Sequence, residues 1–388
     1  MSRRKIVVVL HYFGQMPLVG VAMEGMHYVL GLKRLGYDVW YVEDNGANPY
    51  SPQQNSIHWD SRHNWGFIKG LMERFGMADR WAYWDPTQPE LYQGLGRQRV
   101  FELFAGADAL INLCGTTIMR EEHMKCPVRV LVDTDPGFEQ IKMAAGDAGS
   151  RAYIDAHTHH WTIGENLGAA DCPVPLGHIN WIRTRPPVVL DAWQPDYDTA
   201  TSHYSTIATW QHGAKNIELG GVSYQWSKHV NFQRFLDLPS RRREKFRLAM
   251  ITPNPEVDRT VRDRGWDLVA PVPVSDTFDH YAAFIRASRG EFTVAKDIYV
   301  RPRTGWFSDR SVCYLASGRP VITQATGFEA HVPTGRGLFH FHDWDDIFAA
   351  LDAIESDYAG QCRAARAVAG DCFDSDKVLK RSMQAIGL

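Results

Sequence analysis

The stretch from residue 305 to 328, GWFSDRSVCYLASGRPVITQATGF, leaves the backbone few choices. Ser308 suits a helix start, because a seryl hydroxyl accepts from first-turn amides. The pattern predicts a helix over 309–317, stopped by Gly318 and barred from continuing by Pro320. Val321, Ile322 and Thr323 then read as a buried strand, and Thr326 and Gly327 break into a loop. A helix running straight into a buried strand is the repeat unit of a parallel α/β sheet. Its first turn carries Ser308, Asp309, Arg310 and Ser311. Free amides and the positive dipole end make such a turn a seat for phosphate, and Lys296, Arg301 and Arg303 lie just upstream. On local pattern alone, an ordinary sheet unit with surface ion pairs reads as well.

The rest of the chain repeats the theme. Residues 5–10 form a continuous apolar run, as a parallel strand covered on both faces requires. A loop over 11–20 and a helix over 21–35, stopped at Gly36, lead to a second strand from Tyr37. Further buried strands are expected at 109–113 and 128–132, and the latter ends in Asp133 and Asp135. Carboxylates at the carboxyl end of a parallel strand point into the crevice where open α/β sheets bind ligands. A capping role before a helix at 138–143 is the alternative for both. Residues 191–205 read as a linker. Strands at 206–210, 246–251, 266–269 and 291–294 then build a second sheet. The expectation is an α/β protein of two Rossmann-like, doubly wound domains facing across a cleft. They would span 1–195 and 196–370, with a last helix in 371–388 crossing back to the first.

Composition narrows the function classes. Two domains of roughly 150–200 residues fit the 388-residue chain. The net charge of −3 offers no basic field for nucleic acid or an anionic membrane. The Gly-x-Gly-x-x-Gly fingerprint of a dinucleotide site is missing, which argues against an NAD or FAD enzyme. His157, His159 and His160 fit no standard zinc spacing, so no metal is expected. Six cysteines without a C-x-x-C pair suggest a reduced, cytoplasmic protein. The apolar run near the N-terminus is too short for a signal peptide, and none reaches the ~18–20 residues of a membrane span. Aromatic faces suit sugars. In the irregular region 45–100, Trp59, Trp65 and Trp84 are therefore acceptor candidates, with local packing the plainer role for each.

The run Ala316-Ser-Gly-Arg-Pro-Val-Ile, the Thr326-Gly327 loop and the Gly335-Arg-Gly-Leu turn together resemble the donor-binding half of GT-B glycosyltransferases over about residues 288–355. The first strand–helix–strand unit, ending Leu-x-x-Leu-Gly-Tyr-Asp-Val, is also similar to that superfamily. The resemblance implies sugar transfer from a nucleotide-diphosphate sugar to a hydroxyl without an essential metal or cofactor. The diphosphate would be held by the helix start at Ser308–Ser311 and by Lys296, Arg301, Arg303 or Arg310. Donor sugar hydroxyls would meet the loop holding Gln324, Thr326, Gly327 and Glu329. It also implies that acceptor contacts come from the first domain, with His11 as base and Asp133 or Asp135 as its partner or substitute. One departure stands out. Many retaining members place a ribose-binding glutamate where this chain has Cys313, and the spaced glutamate pair is absent. Asp309 is the candidate replacement, and retention versus inversion stays open. The acceptor is a small molecule, a lipid-linked molecule or a polymer. A nucleic-acid acceptor stays open without support from the charge. Two alternatives keep the fold: a nucleotide-sugar 2-epimerase, and a non-catalytic nucleotide-sugar-binding protein.

Overall fold

The computed structural model describes residues 3–195, 197, 198, 200–211 and 215–388. Residue 196, the expected start of the second domain, lies outside them. Two parallel sheets with helices on both faces organise the chain. Across the first sheet the strands run Trp181–Arg183, His159–Thr162, Arg129–Asp133, Ala109–Leu113, Ile6–Leu10, Asp38–Glu43, Trp81–Trp84 and Tyr92–Gly94. Only Tyr92–Gly94 pairs antiparallel, on Trp81–Trp84. Val7, Val8, Val9 and Leu10 are wholly buried, because helices cover both faces of the central strand. The second sheet runs Asp267–Val269, Lys245–Ile251, His203–Thr209, Gly290–Thr293, Val321–Gln324 and Leu338–Phe341, every pair parallel.

Strand order reverses once in each sheet. In the first it reverses between Ile6–Leu10 and Ala109–Leu113, and in the second between His203–Thr209 and Gly290–Thr293. Such switch points open crevices at the carboxyl ends of the strands. His11 and Cys114 leave the first switch point, and Lys296 follows the second.

The region 45–100 is more regular than its sequence suggests. Trp81–Trp84 is an inner strand of the first sheet, beside Asp38–Glu43, and Arg62–Arg74 is a helix. Aromatic residues favour strands, but the four-residue run is too short to show alternation. The last helix, Ser375–Gln384, packs on the helix Val19–Arg34 of the first lobe. Gly31 is needed there, since a Cβ on it would sit 2.6 Å from Leu379 Cδ1. Mutual backbone bonds between Val188 and the 373–375 turn, and Arg34 paired with Asp376, fix the same junction.

Candidate active site

The helix predicted over 309–317 forms as Asp309–Ala316, and its start opens into the gap between the lobes. Ser308 does not cap it. The hydroxyls of Ser308 and Ser311 are both buried and without a hydrogen-bond partner. Asp309 and Arg310 line a crevice of about 280 Å³. Its other walls are the strand ends Ile207–Thr209 and Ile251, the turn Pro271, Val272 and Ser275, and from the first lobe Tyr12, Leu18, Val21 and Glu24. Burial, then the Glu24 carboxylate across the gap, raises the Asp309 carboxyl above the ordinary range.

The cations expected at this seat divide sharply. Arg310 is spent inside its own lobe. Its Nε donates to Glu291 at 2.6 Å, and its two terminal nitrogens donate to the Ile207 carbonyl and Thr293 Oγ1, each at 2.9 Å. Arg301 pairs with Asp297, and Arg303 with Asp171 and Glu329. Lys296 reaches across the gap to Asp135 at 2.7 Å, with its ammonium 3.7 Å from the centre of the Trp226 ring. Tyr299 also donates to Asp135. Each of these four guanidinium or ammonium groups already has a carboxylate partner. Lys228 differs. Among the described residues no carboxylate pairs with it and no hydrogen bond holds its ammonium. Half-buried, with its ammonium 5.8 Å from the centre of the Trp306 ring, it is within electrostatic reach of Arg310, Lys296, Glu291 and Asp309. Burial first, and then the two cations, push it down to about 7.

Facing this seat, His11 is fully buried at the end of Ile6–Leu10. Its Nε2 lies 3.6 Å from Glu24 Oε2 and 3.5 Å from Cys114 Sγ. Cys114 Sγ also lies 3.3 Å from Glu24 Oε1. Burial, then Glu24, pushes the Cys114 thiol well up. Asp133 and Asp135 separate electrostatically. Asp133 accepts from Gln140 Nε2, Thr162 Oγ1 and the Asp135 amide, yet burial lifts it to about 7. Burial would lift Asp135 too, but Lys296 and Tyr299 outweigh it and hold the carboxyl below its usual value. The three donors on Asp133 make it the organiser of its strand end. Asp133 and Asp135 line a second cavity, of about 320 Å³, with Cys114, Phe138, Lys142, Tyr153, Trp181, Lys215 and Trp226.

The tryptophans that line a cavity are Trp226 and Trp181. Trp59 is 74% exposed, two residues past the short strand Ser56–Ile57. Trp65 packs on the first-lobe core, and Trp84 stacks on Tyr92 under Arg120. None of the three lines either cavity. The loop of Gln324, Thr326, Gly327 and Glu329 also turns inward. Gln324 accepts the Ala295 amide, Thr326 donates to the Trp306 carbonyl, and Glu329 accepts the Gly327 amide. His157 and His160 meet the Tyr153 and Ile154 carbonyls. The sequence reading missed Glu24, Cys114, Lys228, Lys215 and Trp226. Lys228 carried the fairest signal, a lone lysine in the aromatic run after the first strand of the second sheet.

No protein-family model matches the sequence, and no curated protein matches it. Solved structures match along its whole length. AviGT4, a glycosyltransferase involved in avilamycin A biosynthesis, is 12% identical over 99% of this chain and 97% of its own, with a TM-score of 0.53. Sucrose-phosphate synthase from Thermosynechococcus elongatus is 11% identical over 99% and 98%, with a TM-score of 0.59. An alpha-glucosyltransferase solved with UDP and a 13-mer DNA is 10% identical over 100% of both chains, also at 0.59. The chain has the GT-B fold. Each cavity is lined by residues from both halves of the chain, including strand ends: Leu131–Asp133 in one, Ile207–Thr209 and Ile251 in the other. The Cys114–Glu24 contact joins them, since Cys114 lines one cavity and Glu24 the other.

Proposed function

We propose that this protein is a glycosyltransferase that moves a sugar from a nucleotide-diphosphate sugar to the hydroxyl of a small acceptor. Residues 196–370 are the donor lobe and 1–195 the acceptor lobe. The nucleoside occupies the 280 Å³ crevice, which is apolar along Ile207, Ile251 and Val272. Its diphosphate meets the free amides at the start of Asp309–Ala316, the Ser308 and Ser311 hydroxyls, and Lys228. Stabilising the leaving diphosphate is the largest task in such a transfer, and preset donors and cations perform it without reorganising. The acceptor occupies the 320 Å³ cavity, stacked on Trp226, with Lys215 and Lys142 at its wall. Its hydroxyl proton passes to the Glu24 carboxylate, which His11 and Cys114 hold at the junction of the two cavities.

The single observation behind this reading is a helix start that puts Asp309 and Arg310 in the wall of an inter-lobe crevice, with two buried seryl hydroxyls without a partner in its first turn and, within electrostatic reach, Lys228, which has no carboxylate partner among the described residues. A cavity of ~300 Å³ suits a molecule of one or two sugar rings better than a polymer. Bound UDP in the alpha-glucosyltransferase supports the donor class. The six free thiols support a reducing, cytoplasmic setting. Among the described residues no helix is long and apolar enough to cross a membrane.

A thermal-shift panel of nucleoside diphosphates and their sugars tests the donor, since a ligand of the folded form raises the melting temperature. Free nucleoside diphosphate should then accumulate only with an acceptor present. Release without acceptor would point to the epimerase, and binding without turnover under any acceptor to a sensor.

A further inference from the structure

We propose that His11, Glu24 and Cys114 form a binding site for a zinc-class divalent ion in the wall between the two cavities. The three residues come from three rigid elements: the end of Ile6–Leu10, the helix Val19–Arg34 and the end of Ala109–Leu113. Their ligand atoms, one from each residue, all lie within 4.8 Å of one another. The closest approaches are 3.5 Å for His11 Nε2 to Cys114 Sγ, 3.6 Å for His11 Nε2 to Glu24 Oε2, and 3.3 Å for Cys114 Sγ to Glu24 Oε1. Tetrahedral zinc with bonds of ~2.0–2.3 Å sets its nitrogen, oxygen and sulfur ligands ~3.4–3.6 Å apart. A small turn of the Glu24 carboxylate, which is 18% exposed, brings one oxygen into that figure.

The donor set also selects the ion. Thiolate and imidazole favour zinc, cobalt and copper, whereas magnesium and calcium seek oxygen cages. One thiolate and one carboxylate cancel the charge of a divalent ion, so the half-buried site is neutral when filled. On binding, the thiol proton leaves to solvent and no electron is transferred. The His11 ring is clamped, because a Cβ at Gly25 would sit 2.9 Å from Nδ1. Cys114 holds a positive φ of 57°, an uncommon conformation for a cysteine, at the point where its sulfur faces His11. Three protein ligands leave a fourth position for a ligand oxygen, and the cavities on either side supply the access.

The consequence for transfer rests on the function proposed above, while the binding itself does not. A filled site occupies the Glu24 carboxylate and blocks proton removal, so zinc would act as a reversible inhibitor.

The test is cobalt titration of the full-length, chelator-stripped protein. One equivalent should produce a near-ultraviolet thiolate-to-cobalt band with visible tetrahedral bands. Zinc should abolish them and magnesium leave them unchanged. Cys114→Ser should remove the ultraviolet band, and Glu24→Gln should weaken cobalt binding by ~10-fold or more. Absence of the bands, or bands unchanged in both variants, overturns the site. Circular dichroism confirms that each variant is folded, and Glu24→Gln still reads the site if Cys114→Ser does not fold. In a transfer assay, one equivalent of zinc should suppress turnover and a chelator restore it. Bands with undiminished transfer would overturn the inhibitory role and, with it, Glu24 as proton acceptor. Bands in a protein without transferase activity would keep the ion site and reject the transferase reading.

Discussion

Replacing Lys228 by methionine separates a ligand-binding cation from a structural one. Among the described residues its ammonium has no carboxylate partner, and its surroundings disfavour the charge enough to bring it down to about 7. Methionine keeps much of the bulk and removes an unpaired charge, so the melting temperature should hold or rise. Binding should behave oppositely. A charge-assisted hydrogen bond to phosphate contributes ~1.5–3 kcal/mol, so Lys228→Met should raise the Kd of a nucleoside diphosphate ~10- to 150-fold. The pH dependence is a second reading of the same group. The bound diphosphate holds the lysine protonated, while the free lysine is half-neutral near pH 7. Affinity should therefore fall as pH rises, by up to ~25-fold between pH 6.5 and 8.5 if the bound lysine titrates above that window. The nucleotide's own phosphate titration is common to both proteins, so the wild-type profile minus that of Lys228→Met isolates the lysine. Isothermal titration calorimetry at the two pH values measures all of this. A variant Kd within about twofold of wild type, with parallel pH profiles, would refute the assignment of Lys228 and of the helix start.

Other expectations follow from the same geometry. Arg310→Met leaves Glu291 as an uncompensated buried carboxylate and should cost ~3–5 kcal/mol of stability in denaturant melts, with donor affinity changed far less than in Lys228→Met. Trp226→Ala should raise acceptor KM in steady-state assays, whereas Trp59→Ala, which lines neither cavity, should leave it unchanged. His27 is buried and accepts from the Val189 amide, and burial lowers it to about 3. The unfolded chain binds its proton from about pH 6.5 downward and the folded one does not, so its contribution falls on acidification. That is a loss of ~2 kcal/mol between pH 7 and pH 5. Asp133, raised to about 7, acts in the opposite sense, so the His27 effect is read as the difference between wild type and His27→Gln in pH-dependent melts.

The unit at 305–328 was legible because its determinants are local. Gly318 and Pro320 end a helix whatever surrounds them, and the valine run of Ile6–Leu10 demands burial on both faces. Trp81–Trp84 was not legible as an inner strand, because its partner Asp38–Glu43 lies some forty residues away. The sequence put Lys296, Arg301, Arg303 and Arg310 in the twenty residues around the helix start. It could not say which of them were already neutralised. Arg310 and Glu291 stand nineteen positions apart, and Lys296 and Asp135 a hundred and sixty-one.

From its order of residues alone, then, the chain determines two α/β lobes and a helix start aimed at the end of a sheet. Helix stops, buried runs and turn glycines act over a few residues and keep their meaning in any context. Only the tertiary structure decided that Arg310 is paired with Glu291 while Lys228 has no carboxylate partner among the described residues, and that His11 meets Glu24 and Cys114. Charge pairing and ligand geometry depend on distances of a few ångströms between residues far apart in sequence, and packing alone sets those distances.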